Sequence, residues 1–102
     1  MKLEHYPVEK LKQEIKEIVG RHLDLKKYTL FFFGSRVLGK GDERSDIDLG
    51  IEGSKPVDSV VMSNIQEDIE ELPMLYKIDI VDFKEVGGDF YKVAKEKIEI
   101  II

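Results

Sequence analysis

The chain has 102 residues, of which 42% are hydrophobic and 36% are charged, as expected for one globular domain spanning residues 1–102. It contains no cysteine, which excludes disulfides, thiol chemistry and Cys-based zinc sites. Sixteen basic and 21 acidic residues give a net charge of −5, which disfavours nucleic acid as the main partner because binding phosphates requires a basic surface. Neither a membrane span nor a signal peptide is evident, so we expect a cytoplasmic protein.

The first predicted element is an amphipathic helix from Val8 to Leu25. Its apolar residues recur at steps of three and four, and Pro7 stands near its start, where a missing N–H has no cost. The aromatic and β-branched run from Tyr28 to Gly34 predicts a strand. Because this run is continuously apolar rather than alternating, we expect burial on both of its faces.

The rest of the chain continues to alternate between helix and strand patterns. Ser35 to Leu38 predicts a short helix or turn, and GKGDERS predicts a polar loop. Further strands are predicted at 46–52, 76–83 and 98–102, and further helices at 54–72 and 90–97. The order α-β-(α)-β-α-β-α-β favours an α/β or α+β fold.

Two common ligand loops can be excluded from their spacing. Gly34 to Lys40 spells G-x-x-x-x-G-K after a predicted strand, which is most of a Walker A loop. That loop continues with Ser or Thr at the start of a long helix, whereas this chain continues with Gly41 and a polar loop. An EF-hand opened by Asp46 fails as well, because its required glycine falls one place early, at Gly50.

Two aspartates one residue apart, Asp46 and Asp48, interrupt an apolar predicted strand. Side chains alternate along a strand, so both carboxylates point to the same face, roughly 6–7 Å apart at Cα. That face cannot be a dry core, because unpaired buried carboxylates are too costly. The spacing instead suits carboxylates that converge on one hard cation or bridge two.

A third carboxylate is available in the later strand YKIDIVD. Asp79 lies in the middle of this strand, whereas Asp82 lies at its end, where an exposed or capping aspartate is ordinary. We therefore prefer Asp79 as the third member and keep Asp82 as the alternative.

Gly34 and Ser35 are the candidate phosphate-binding residues. Glycine allows the backbone to approach an anion closely, and the start of a helical turn offers free N–H groups. Acidic residues alone would repel a triphosphate, but bridging Mg²⁺ ions reverse that effect. Together these parts describe phosphoryl or nucleotidyl transfer that uses two metal ions.

Gly34-Ser35, ten residues, then Asp46-x-Asp48 resembles the G-S-x₁₀-D-x-D signature of the DNA polymerase β nucleotidyltransferase superfamily. The aromatic strand before it and the KIDIVD strand after it match the layout of that superfamily. The short chain and the sequence GSR…SDIDL look most like the minimal nucleotidyltransferases. These are the antitoxin-like members of HEPN/minimal-nucleotidyltransferase pairs.

This resemblance implies a small mixed β-sheet flanked by helices, and it implies a role for each site residue. Gly34, Ser35 and the adjacent Arg36 would bind the nucleotide. A surface position without a role in binding is the alternative for Arg36. The catalytic and metal-ligating residues would be Asp46, Asp48 and Asp79, holding two Mg²⁺ ions. ATP would be the substrate and AMP the transferred group. The acceptor would be a tyrosine of a HEPN-domain protein encoded nearby, which the transfer neutralises.

Two alternatives stay open. The chain could be a non-catalytic or weakly active antitoxin that binds a nucleotide and neutralises its partner by complex formation alone. It could also be a nucleotidyltransferase for a small molecule such as an aminoglycoside, for which a single short chain would need a homo- or hetero-oligomer to complete the pocket.

Overall fold

The computed structural model describes residues 1–40 and 44–102, so Gly41 to Glu43 of the predicted polar loop lie outside the described residues. The elements are α1 (Val8–Gly20), β1 (Tyr28–Phe33), β2 (Ile47–Gly53), α2 (Ser59–Glu70), β3 (Ile78–Asp82), α3 (Gly88–Lys95) and β4 (Glu99–Ile100). The predicted order of helices and strands is confirmed. Of the two forms left open for Ser35 to Leu38, the structure has the turn.

The four strands form one mixed sheet in the order β3-β2-β1-β4. β1 is antiparallel to both β2 and β4, whereas β2 and β3 are parallel. Parallel neighbours need a crossover connection, and α2 supplies it here. The mixed sheet flanked by helices that the family resemblance implied is therefore confirmed.

Both faces of β1 are buried, as its continuous hydrophobicity predicts. Leu30 and Phe32 belong to the larger core, which packs against α1 and α2. Phe31 and Phe33 point the other way, into a smaller aromatic core with Phe83 that α3 partly covers. The sheet therefore separates a wide apolar core from a face on which α3 covers only part of the surface.

The largest differences from the predicted helices lie at the end of α1 and the start of α2, and the other differing boundaries are shifted by two residues. α1 ends at Gly20 rather than Leu25, because glycine is a poor helix former, and His22 beyond it contacts the Asp68 carboxylate of α2 at 2.7 Å. α2 begins at Ser59 rather than Ser54, because the carboxylate of Asp58 accepts hydrogen bonds from the first-turn N–H groups.

The C-terminal residues pair with the edge of β1, as predicted for a terminal strand. The N–H of Leu30 donates to the carbonyl of Ile102 at 2.8 Å, and the N–H of Ile101 donates to the carbonyl of Leu30 at 2.8 Å. Within the described part of the chain, no helix is long and apolar enough to cross a membrane.

Gly50, in the middle of β2, allows the aromatic core to reach the sheet. A Cβ at this position would lie 2.4 Å from the Phe31 ring and 2.8 Å from the Phe83 ring. Gly50→Ala should therefore lower the free energy of unfolding by about 1–3 kcal/mol, because the rings must shift out of well-packed positions. Urea unfolding measures this effect. Gly88→Ala is the matched control, since its Cβ would meet no atom within 4 Å. Equal stabilities for Gly50→Ala and the wild type would contradict this packing.

Candidate functional site

Asp48 and Asp79 lie side by side at the centre of the site. The parallel register of β2 and β3 pairs Asp48 with Asp79, and the antiparallel register of β1 and β2 pairs Asp48 with Phe33. Paired residues project to the same face of a sheet, so both carboxylates share the face that carries α3. Asp46 directly precedes β2, two residues before Asp48. The sheet thus brings all three predicted carboxylates to one place.

The electrostatics of Asp48 reflect this arrangement. The pKa of Asp48 is raised above its usual range, first by burial and then by the negative charges of Asp79 and Asp46. Like charges within a few ångströms disfavour ionisation, and a nearby cation reverses the effect. A positive charge placed among the three carboxylates would therefore favour the ionised form of Asp48.

The donor set fits a divalent cation in its chemistry, because oxygen ligands from carboxylates are those that Mg²⁺ prefers. In the described residues, no three acidic or histidine side chains are already arranged around one point in the way that holds a metal ion. Asp79 is half-exposed and only loosely paired with Lys77, at 3.6 Å, and such surface pairs contribute little. Its carboxylate is therefore free to turn toward a cation.

Asp82 occupies a different environment from Asp79. It is only 9% exposed, and its carboxylate accepts hydrogen bonds from the N–H groups of Val57 at 2.7 Å and Lys84 at 2.9 Å. These bonds tie the end of β3 to the segment before α2. The structure therefore places Asp79, and not Asp82, beside Asp48, while Asp82 stabilises a loop.

Gly34 brings the turn after β1 into direct contact with Asp48. Its φ of +83° lies in the left-handed region that favours glycine, and a Cβ there would lie 2.2 Å from Oδ2 of Asp48. The turn then winds like the start of a helix, since the carbonyl of Gly34 accepts from Val37 and Leu38 and that of Ser35 accepts from Lys40. The opening N–H groups of such a turn have no acceptor within it.

Arg36 joins the three segments that carry the site. Its Nε donates to the carbonyl of Ser45 at 2.8 Å, and its guanidinium lies 4.8 Å from the centre of the Tyr76 ring. Ser45 immediately precedes Asp46, and Tyr76 stands three residues before Asp79. Nη2 of Arg36 is buried without a hydrogen-bond partner among the described residues. The predicted role of Arg36 in nucleotide binding is untested, and its visible contacts are with the protein.

Two parts of the site were missed by sequence reasoning. Tyr76 was read only as a strand residue, and its contact with Arg36 depends on the sheet register. Phe90 and Val93 of α3 were read only as helix residues, yet they line a cavity beside Asp48 and Gly34. The sequence of α3 shows that Phe90, Tyr91, Val93 and Ala94 share one broad apolar face, but it does not show which of them the sheet leaves uncovered.

Residues 13–102 match the family described as "Polymerase beta, Nucleotidyltransferase". A probable protein adenylyltransferase, MntA, of Haemophilus influenzae is 32% identical over 75 residues, covering 74% of this chain. The chain spans 65% of the length of that relative.

Two solved structures share the fold. A crystal structure of a toxin-antitoxin with AMP-PNP superimposes with a TM-score of 0.71 at 16% identity, covering 89% of this chain and 72% of that chain. A tri-AMPylated Shewanella oneidensis HEPN toxin in complex with MNT antitoxin gives a TM-score of 0.68 at 14% identity, covering 93% of this chain and 72% of that chain.

The raised pKa of Asp48 predicts a stability change that depends on pH. At pH values between the pKa of Asp48 in the unfolded chain and its raised pKa in the folded chain, the folded chain binds more protons than the unfolded chain. The free energy of unfolding therefore falls as pH rises through that window. Asp48→Asn should therefore stabilise the chain near pH 7 without divalent cations, and the gain should vanish below about pH 3.9. Thermal unfolding across pH measures this. Glu67→Gln, an exposed change of equal charge on α2, should show no such gain. A loss of stability in Asp48→Asn near pH 7 would contradict the repulsion of the Asp48 carboxylate by the charges of Asp79 and Asp46.

The contacts of Arg36 predict that it stabilises the fold around the site. Arg36→Ala should lower the free energy of unfolding by about 2 kcal/mol, since it removes a charge-assisted hydrogen bond and a cation–π contact. Arg36→Lys should restore little of this, because an ammonium lacks the planar stacking surface. Urea unfolding tests both variants. Arg21→Ala, which removes a 62% exposed arginine 3.8 Å from Asp68, is the control and should change little. Equal losses of stability in Arg36→Ala and Arg21→Ala would contradict a stabilising role for the contacts of Arg36 with Ser45 and Tyr76.

Proposed function

Because the chain belongs to the polymerase β nucleotidyltransferase family, we propose that it transfers AMP from ATP onto a tyrosine hydroxyl of a HEPN-domain toxin and so acts as its antitoxin. The observation that carries this proposal is the placement of Asp48 between Gly34 on one side and Asp79 on the other. This arrangement joins a phosphate-binding turn to a carboxylate cluster within a few ångströms.

In this proposal Gly34 and Ser35 hold the triphosphate through the N–H groups of their turn, with Arg36 beside them. Asp46, Asp48 and Asp79 would hold two Mg²⁺ ions, which would supply polarisation of the α-phosphate and a lowered pKa of the attacking hydroxyl. Asp48 must be ionised to serve as a ligand, and in the metal-free chain burial and the charges of Asp79 and Asp46 raise its pKa.

The strand order lets the nucleotide and the acceptor hydroxyl approach Asp48 from opposite sides of β2. The turn at Gly34 follows β1, the central strand β2 carries Asp48, and β3 carries Asp79. A nucleotide held at the turn therefore presents its α-phosphate toward β2, and the acceptor hydroxyl approaches from the side of β3. Asp79 is then positioned to accept the proton of that hydroxyl, a role that suits a half-exposed carboxylate.

The choice of acceptor is supported by the relatives. The similar Haemophilus protein is named a probable protein adenylyltransferase, and the similar complexes pair an antitoxin with a toxin, one of them AMPylated. We therefore propose a HEPN-domain protein as the partner and the cytoplasm, where ATP is available, as the location.

Incubation with the HEPN protein encoded nearby, Mg²⁺ and ATP labelled at the α-phosphate should label that protein. ATP labelled at the γ-phosphate should not, because only the nucleoside monophosphate is transferred. Asp48→Ala and Asp79→Asn should each lower the rate at least about 100-fold, because each removes a metal ligand. Asp82→Asn is the matched control: it should be less stable, since it weakens the acceptor for Val57 and Lys84, yet retain much of the rate while folded.

Three results would change this conclusion. If the wild type and Asp48→Ala label the partner equally, the carboxylate cluster is not the active site. If no label appears but the two proteins form a complex and the toxin is neutralised, the chain is an antitoxin that acts by binding alone. If Asp82→Asn, rather than Asp79→Asn, abolishes transfer in folded protein, Asp82 is the third carboxylate.

A further inference from the structure

A cavity of about 270 Å³ opens beside Asp48 on the side away from β3. Its apolar wall comes mostly from Phe33, Leu38, Phe90 and Val93. Gly34 and Asp48 also line it, as do the charged residues Glu96 and Lys97. The lining comes from β1, β2, the turn and the segment from α3 onward, and among the described residues β3 contributes none. Any molecule that fills the cavity therefore touches both the phosphate turn and the carboxylate strand.

The cavity wall leaves large apolar side chains exposed. Phe90 is 47% exposed, Val93 is 68% exposed and Leu38 is 46% exposed. The Phe90 ring lies edge-on to Phe33, with centroids 6.1 Å apart. An aromatic ring that is half exposed at the mouth of a cavity offers a stacking surface to a flat ligand.

An ionic contact holds α3, which has no buried residue of its own, against the sheet. Lys95 donates to the carboxylate of Glu52 at 2.7 Å, and the hydroxyl of Tyr91 donates to the same carboxylate at 2.5 Å. Burial alone would raise the pKa of Glu52, but the hydrogen bonds from Lys95 and Tyr91 outweigh it and lower the pKa. This ionic contact fastens one side of α3 to β2, while Phe90 and Val93 on α3 line the cavity.

We propose that this cavity binds the base of the nucleotide, with Phe90 as the residue on which the base stacks. The inference rests on the proposed function, because it assumes that the phosphates lie at Gly34 and Ser35. A nucleotide held there has its sugar and base within a few ångströms of the turn, and the adjoining cavity is apolar and open. The acceptor side chain is the less suitable occupant, since it must approach Asp79, which lies on the other side of β2.

Calorimetric titration with Mg²⁺-ATP and, separately, with Mg²⁺-tripolyphosphate tests this assignment. Phe90→Ala should weaken ATP binding by about 5- to 100-fold, the range expected for one base stacked on an aromatic ring. It should leave the affinity for tripolyphosphate unchanged, because that probe has no base. Phe90→Tyr should bind ATP like the wild type, since the ring is retained. Val60→Ala, which trims a 65% exposed apolar residue on α2, is the control and should change neither affinity.

Each other outcome overturns the inference in a distinct way. Unchanged ATP affinity in folded Phe90→Ala would exclude a stacked base, and an equal loss for ATP and tripolyphosphate would show that Phe90 acts through the turn. Retained ATP affinity with loss of the complex with the HEPN protein would make the cavity a docking surface for the partner. If the wild type binds no ATP, the proposed function fails as well. If it binds ATP but Phe90 has no effect, only the assignment of the cavity fails.

Discussion

The parallel pairing of β2 with β3 is the constraint on which the rest of the structure depends. It sets Asp48 directly beside Asp79, an arrangement of like charges that weakens the sheet at that point. The pairing is possible only because α2 crosses from one strand to the other, and α2 in turn packs into the larger core. The fold therefore uses apolar packing on one face to maintain an unfavourable arrangement of carboxylates on the other.

The two faces of the sheet differ in how completely they are covered. The face toward α1 and α2 is closed by aliphatic side chains, including Ile47 and Leu49 that alternate with Asp48. The opposite face has a small aromatic core under α3, and that core stops short of Asp48 and Gly34. The uncovered part of this face holds the turn at Gly34, the carboxylates and the cavity. The proposed binding site lies where one end of the sheet has no covering helix.

Sequence reasoning predicted what is set by local pattern. The alternation of side chains in a strand placed Asp46 and Asp48 on one face, and the spacing to Gly34-Ser35 brought the turn and the strand together. It preferred Asp79 as the third carboxylate and kept Asp82 as the alternative, because both fit a strand and differ chiefly in what surrounds them. The register with Asp48 and the hydrogen bond from Val57 separate them, and both depend on contacts distant in sequence. The contacts of Arg36 with Ser45 and Tyr76 were hidden for the same reason.

The central claim is that carboxylates from two strands act as one metal-binding cluster, and a Mg²⁺ titration followed by NMR tests it most directly. In a protein labelled with ¹³C at the aspartate carboxyl groups, the signals of Asp46, Asp48 and Asp79 should all shift as Mg²⁺ binds. The signal of Asp82 should stay in place, because its carboxylate is engaged with backbone N–H groups. A signal of Asp48 or Asp79 that does not respond to Mg²⁺, or movement of Asp82 in place of Asp79, would contradict the account.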